Sequence, residues 1–193
     1  MENRSFCCIA ERGVLVNHFL KGKKRLLIIG CSGAGKSTLA RRLSAAMGIP
    51  AVHLDRLYWL PGWKNRSREE FDALLRQELA RDAWIMDGNF DRTLELRLAR
   101  ADGVLRLDFG RLACEWGVIR RVLSSYGKVR PDMGDGCPER FDWKFMKWIW
   151  NFPAQDGAKA RKVLCRHPEV PVLTLRSRRE VNRFLKELED GKL

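Results

Sequence analysis

The chain has 193 residues and a formal net charge of +13, with 45% apolar and 32% charged residues. That length suits one compact domain with at most a small insert, and that apolar share excludes a wholly disordered chain. No apolar run is long enough to cross a bilayer, and the basic excess suits phosphate-rich partners, from nucleotides to nucleic acid.

Residues 1–23 read as a loosely ordered extension. Their apolar patches are broken by Glu11, Arg12 and His18, and no small-residue cleavage site follows. The domain proper is expected over 24–193. Residues 25–30, RLLIIG, have the pattern of a strand buried on both faces. Residues 36–47 follow as a helix with Leu39, Leu43 and Met47 on one face, stopped by Gly48 and Pro50. AVHLD, residues 51–55, reads as a second strand ending on an aspartate, and a turn-rich aromatic stretch comes after it. Ser67 and Glu70 form a capping box for a helix faced by Phe71, Leu74, Leu75 and Leu79. WIMD, residues 84–87, is a third strand, 93–101 a short helix and 104–109 a fourth strand. A helix over 111–125 leads into a Gly-, Pro- and charge-rich flap at 128–142. WKFMKWIWNF is then an aromatic helix with Trp143, Met146 and Trp150 on one face, and 154–166 is helical too. A fifth strand at 170–175 and a last helix, capped by Ser177 with Glu180, close the chain. Five strands alternating with helices imply an α/β fold with a parallel sheet covered on both faces.

The first strand runs into Gly30-Cys-Ser-Gly-Ala-Gly35-Lys36-Ser37, which matches GxxxxGK[ST] between a strand and a helix. Glycines at 30, 33 and 35 let backbone N–H groups curl around phosphate oxygens, with Ser32 and Ala34 completing the loop. Lys36 is placed to reach the β- and γ-phosphates, Ser37 to ligate Mg²⁺ and Thr38 to aid the α-phosphate. ATP with Mg²⁺ is therefore the expected ligand. No DxxG or NKxD occurs, which excludes an ordinary GTPase. Strand-end acids beside such a loop hold a magnesium-bound water or simply cap helices: Asp87 and Asp55 are the candidates, Asp108 a weaker one. The six cysteines, at 7, 8, 31, 114, 137 and 165, show no metal spacing and fit reduced thiols in a cytoplasmic protein. Cys31 lies where backbone N–H groups would lower a thiol pKa, though a small residue that merely fits is the plainer reading.

The glycine loop, HLDRLYW (53–59), WIMDGNF (84–90), RPDMGDGCPER (130–140) and WIWNFP (148–153) resemble the bacterial topology modulation proteins, within the adenylate-kinase-like P-loop kinases. The resemblance implies strand order 2-3-1-4-5, a mobile lid at about 126–143 and an acceptor region at about 55–82. It implies phosphoryl transfer to a nucleotide, nucleoside or other small acceptor. Asp55 then binds or deprotonates the acceptor, with Arg56, Tyr58, Trp59, Trp63, Gly88 and Asn89 around it; the tryptophans equally suit local packing. Arg121, Arg130 and Arg140 become the charge-stabilising arginines, with Arg120 a solvated alternative, and Arg176 a candidate to stack on adenine. Such kinases often carry a further arginine one turn before Arg121, where this chain has Gly117. Either another arginine supplies that charge or catalysis is weak. The alternative is a nucleotide-dependent DNA-interacting regulator. Lysines interleaved with aromatics in 143–152 would serve it, although the spacing there suits a packed amphipathic helix better.

Overall fold

RLLIIG forms β1 (Arg25–Gly30), the central strand of the sheet, and its neighbours in sequence face opposite ways. Leu26 and Ile28 enter one apolar cluster, Leu27 and Ile29 another. A strand buried on both faces needs apolar residues at every position, which is why the run shows no alternation. The computed structural model describes residues 16–190. Around β1 lie α1 (Val16–Leu20), α2 (Lys36–Met47), β2 (Ala51–His53), α3 (Leu54–Tyr58), the short strands β3 (Trp59–Leu60) and β4 (Lys64–Asn65), and α4 (Arg68–Leu79). Then come β5 (Trp84–Asp87), a 3-10 turn at Asp91–Thr93, α5 (Leu94–Leu98), β6 (Gly103–Leu107), α6 (Arg111–Ser125), α7 (Trp143–Asn151), α8 (Asp156–Cys165), β7 (Val172–Leu175) and α9 (Arg178–Glu189).

The main sheet is parallel in the order β2-β5-β1-β6-β7, which is 2-3-1-4-5 when its five strands are counted alone. Leu39 and Leu43 of α2, Val118 and Val122 of α6 and Phe184 of α9 cover one face. Phe71 and Leu75 of α4, Leu94 of α5 and Leu164 of α8 cover the other. The capping box at Ser67 and Glu70 starts α4 as its sequence dictates. No helix among the described residues is long and apolar enough to cross a membrane.

Four expectations change. Residues 16–20 are helical and Leu20 is buried, so that part of the N-terminal extension is packed against the domain; residues 1–15 lie outside the described ones. The second strand stops at His53, and Asp55 sits in the first turn of α3 rather than at a strand end. The aromatic stretch after it holds a two-stranded hairpin, β3 with β4. In α7 the buried residues are Met146 and Ile149, while Trp143 is 78% exposed and Trp150 45%. The helix serves two partners: Met146 and Ile149 join the core, and Phe145 and Trp148 face a cavity. The remaining arc therefore carries Trp143, Lys147 and Trp150 into solvent, and the Arg111 guanidinium lies over the Trp150 ring.

Candidate active site

Two adjoining cavities open at the carboxyl ends of the sheet strands. The first, about 330 Å³, is lined by Ser32, Gly33 and Gly35 to Thr38 of the glycine loop, together with Arg41, Pro131, Asp132 and Arg178. The loop presses on α6. A Cβ at Gly33 would stand 2.0 Å from the Cys114 carbonyl oxygen, and one at Gly117 would stand 2.1 Å from the Gly33 carbonyl oxygen. Gly35 is left-handed and no side chain caps α2, so the first turn's N–H groups face the cavity. A helix start of this kind, with Lys36 beside it, fits a polyphosphate. Gly30 and Ala34 do not line the cavity. The Gly30 N–H donates to Asn89 Oδ1 at 3.0 Å, which ties the loop to the end of β5.

The Ser37 hydroxyl donates to Asp87 Oδ2 at 2.6 Å, and His53 Nδ1 lies 2.5 Å from the other oxygen of that carboxylate. Burial opposes charge on His53, but the hydrogen bond and charge of Asp87 outweigh it and raise the imidazole pKa. Asp87 is 4% exposed. Ser37 and Asp87 together are a hard-oxygen pair that fits Mg²⁺ beside the phosphates. Asp132, from the flap, is also buried. Burial pushes its carboxyl up, but the charge of Arg130 and a hydrogen bond with Ser37 hold it below the ordinary carboxylate value. Neither His53 nor Asp132 stood out in the sequence, where each is a single polar residue in a short stretch.

The second cavity, about 390 Å³, is walled by Tyr58, Trp59, Trp63 and Phe90 on one side and by Phe145 and Trp148 on the other. Ser32, Lys36, Asp55, Arg121 and Arg130 line both cavities. Lys36 Nζ donates to the Cys31 carbonyl at 3.1 Å, at that junction. Asp55 is half-buried there. Burial raises its carboxyl pKa, with Lys36 opposing and Asp87 adding to the rise. The flap is docked on the hairpin: Gly62 N donates to Gly136 O at 2.9 Å, and Trp63 Nε1 to Pro138 O at 3.2 Å. Glu139, 5% exposed, ion-pairs with Arg121 at 3.0 Å and Arg130 at 2.8 Å, and Arg130 also reaches Asp132 at 2.6 Å. The Arg140 guanidinium stacks over Trp63.

Gly88 and Asn89 line the second cavity, and other candidates fall elsewhere. Arg56 and Arg120 are exposed and line neither cavity. Asp108 pairs with Arg106 at the surface. Arg176 is exposed and outside the first cavity, because its register at the end of β7 turns it outward; Arg178, two residues on, takes the place by the loop. Arg178 Nη2 donates to Gly33 O at 3.1 Å and Ala113 O at 3.4 Å. Cys31 is buried beside Cys114, and that contact together with burial pushes its thiol up, the reverse of a thiolate-favouring loop.

Gly117 is thus a packing requirement. A side chain there meets the Gly33 carbonyl and the Arg178 guanidinium, 2.7 Å from the Cβ position. Gly117→Ala should force the glycine loop and α6 apart. Overpacking of this kind costs about 1–3 kcal/mol, which should lower the melting temperature by about 2–12 °C in a domain of this size. Gly117→Arg should impair the protein further rather than supply a missing charge.

No family model matches this sequence, and no curated protein does, so the narrower likeness to the topology modulation proteins rests on the motifs alone. Solved structures do match. A shikimate kinase from Acinetobacter baumannii, in complex with shikimate, superposes with a TM-score of 0.56 over 92% of this chain and 99% of its own, at 14% identity. A gluconokinase from Sinorhizobium meliloti 1021 superposes at 0.52 over 87% of this chain and 90% of its own, at 13% identity. The chain has the fold of a P-loop kinase. At these identities the likeness extends to the fold and no further.

Proposed function

We propose that this P-loop protein is a small-molecule kinase that transfers the γ-phosphoryl group of MgATP to a hydroxyl-bearing acceptor. One observation carries the reading: a loop-lined cavity and an aromatic cavity meet at Lys36, Asp55, Arg121 and Arg130. That junction puts a phosphate-binding cation, a carboxylate and two arginines between the two candidate substrates. ATP takes the first cavity, with its phosphates on the loop N–H groups and Lys36. Ser37 and Asp87 would hold Mg²⁺, which supplies charge neutralisation when bound. The acceptor takes the second cavity, with its hydroxyl toward Asp55. Its oxygen forms the new O–P bond as the bond from the γ-phosphorus to the β–γ bridging oxygen breaks. ADP leaves with the electron pair, and the hydroxyl proton passes to Asp55. Arg121 and Arg130 exchange Glu139 for the transferring oxygens, whose charge they stabilise. Arg178 holds the loop and supplies positive charge where Gly117 supplies none. Segment 126–143 acts as the lid and 55–82 as the acceptor region of the 24–193 domain.

Asp55 gives the test. Burial raises its pKa, and a base works only once ionised, so activity must rise with pH through that raised pKa. The acid limb of kcat/KM should therefore lie above the usual carboxylate range of about 4. In Asp55→Asn that limb should vanish, and kcat should fall about 100-fold or more. Full transfer by Asp55→Asn to a hydroxyl acceptor removes Asp55 as the base.

The exposure of Trp143 and Trp150, with Arg111 over the latter, favours a second reading, a surface that stacks on single-stranded nucleic acid. Its signature would be salt-dependent DNA retention that survives Lys36→Ala and is lost on Trp143→Ala with Trp150→Ala. Retention unaffected by the tryptophan changes removes it.

A further inference from the structure

We infer that the acceptor is an uncharged alcohol carrying a planar aromatic ring, of the nucleoside class, and neither a hydroxy acid nor a phosphate ester. The inference rests on the kinase reading for its reaction, and on the pocket alone for its ligand class.

The cavity walls come first. Tyr58, Trp59, Trp63, Phe90, Phe145 and Trp148 face one space of about 390 Å³, with Asp55 and Lys36 at the end where it joins the loop cavity. Phe145 and Trp148 stack on each other, 12° apart with 5.6 Å between centroids, so planar rings already pack face to face at this wall. A flat ring between such walls gains stacking that a polyhydroxylated carbon skeleton cannot.

The backbone gives an independent sign. Among the described residues only Trp63 (φ 61°) and Phe90 (φ 34°) take a left-handed backbone without being glycine. For a bulky side chain that conformation is unfavourable, and strained backbone concentrates at ligand sites. Both residues line this cavity. Trp63 ends the three-residue link between β3 and β4, a place where a hairpin of this length normally has glycine. The fold tolerates an aromatic there, and that residue lines the acceptor space.

Charge selects against an anionic acceptor. Lys36, Arg121, Arg130 and Arg140 line the cavity against Asp55, Glu139 and Asp142. Arg121 and Arg130 are already held by Glu139 and Asp132, and Lys36 is directed to ATP. Glu139 is used in those pairs, so the cavity's remaining charges are Arg140, stacked on Trp63, and the carboxylates of Asp55 and Asp142. A carboxylate or phosphate on the acceptor would meet mostly like charge there. An uncharged ring with a hydroxyl one sugar's width away meets the aromatic walls and Asp55 instead.

The test uses the full chain with MgATP and follows ADP formation with three sets of acceptors: adenosine, cytidine and thymidine; AMP and CMP; and gluconate and shikimate. Calorimetry with the same compounds measures binding without turnover. Nucleosides should bind and stimulate ADP release. Trp63→Gly should raise the nucleoside KM about tenfold or more, and glycine suits that backbone, so the variant keeps its fold. Phe90→Leu, which keeps an apolar filler without the ring, should raise it in the same direction. Stimulation by gluconate or shikimate but not by nucleosides overturns the inference and leaves the kinase reading standing. Nucleoside binding that depends on Trp63, with no ADP released, supports the pocket's ligand class and removes the kinase reading. Preference for AMP or CMP over nucleosides, or no nucleoside binding at all, overturns the inference.

Discussion

Lys36→Ala should reduce acceptor-dependent ADP release about 100- to 1000-fold, the loss seen when one preorganised charge-stabilising donor is removed from a transition state. The side chain stands where the two cavities meet, its Nζ held by the Cys31 carbonyl at 3.1 Å. That contact is internal to the glycine loop, and among the described residues no carboxylate lies in hydrogen-bonding range of the ammonium to neutralise it. The loss should fall on both binding and chemistry. Saturating ATP at about 100 times its Kd stabilises a protein by about 2.7 kcal/mol, and a thermal melt with and without MgATP reads this directly. In Lys36→Ala the shift should shrink to a small fraction. It should not vanish, because the loop N–H groups and the open first turn of α2 remain. Lys36→Arg should rescue little, since a planar fork does not fit where a compact ammonium turns back onto its own loop. An undiminished melting shift in Lys36→Ala means that ATP does not use this loop.

Much of this arrangement was legible in the sequence because its causes are local. The glycine loop needs a strand before it and a helix after it, and both are written in consecutive residues. Buried parallel strands need unbroken apolar runs, and β1 after Arg25 and β5 up to Asp87 show them. The sequence shows less where two distant segments share one requirement. Gly117 reads as a lost arginine until its Cα is seen against the Gly33 carbonyl. Arg178 reads as an ordinary first-turn residue until it reaches Gly33 and Ala113 across the fold. The buried face of α7 lies about one residue of rotation from the one its spacing suggests, because a helix with both a core and a cavity to line carries more apolar residues than one face can hide. Glu139 is one acid in a charged stretch, and only the folded flap shows that it holds two arginines at once.

Arg97 is the clearest residue of that kind, and replacing it should be the largest single blow to stability. On α5 it reads as a basic residue in an amphipathic turn, yet it is fully buried. Its guanidinium donates to Gly88 O at 3.0 Å and Phe90 O at 3.1 Å, to Asn89 O between them, and to Thr93 O at 3.4 Å. The first three are the carbonyls of the loop that follows Asp87, and they include that of Phe90 with its left-handed backbone. Burial works against the charge and draws the arginine's pKa down to about 9. Retaining it therefore requires that the satisfied carbonyls outweigh that cost. Arg97→Met keeps the length and the apolar stem but orphans the carbonyls, and each buried orphan costs about 1–3 kcal/mol. A net loss of about 3 kcal/mol should lower the melting temperature by about 6–12 °C in a domain of this size. Arg97→Lys should recover only part of it, because one ammonium cannot span carbonyls spread over three residues. The acceptor KM should rise alongside, since Asn89 and Phe90 line the aromatic cavity and Asn89 also anchors Gly30 of the loop. If Arg97→Met melts within about a degree of the parent, the carbonyls find other partners and the loop does not depend on this guanidinium. A lowered melting temperature with an unchanged acceptor KM would separate the two roles, leaving Arg97 to the fold and the ring pocket to the hairpin and α7.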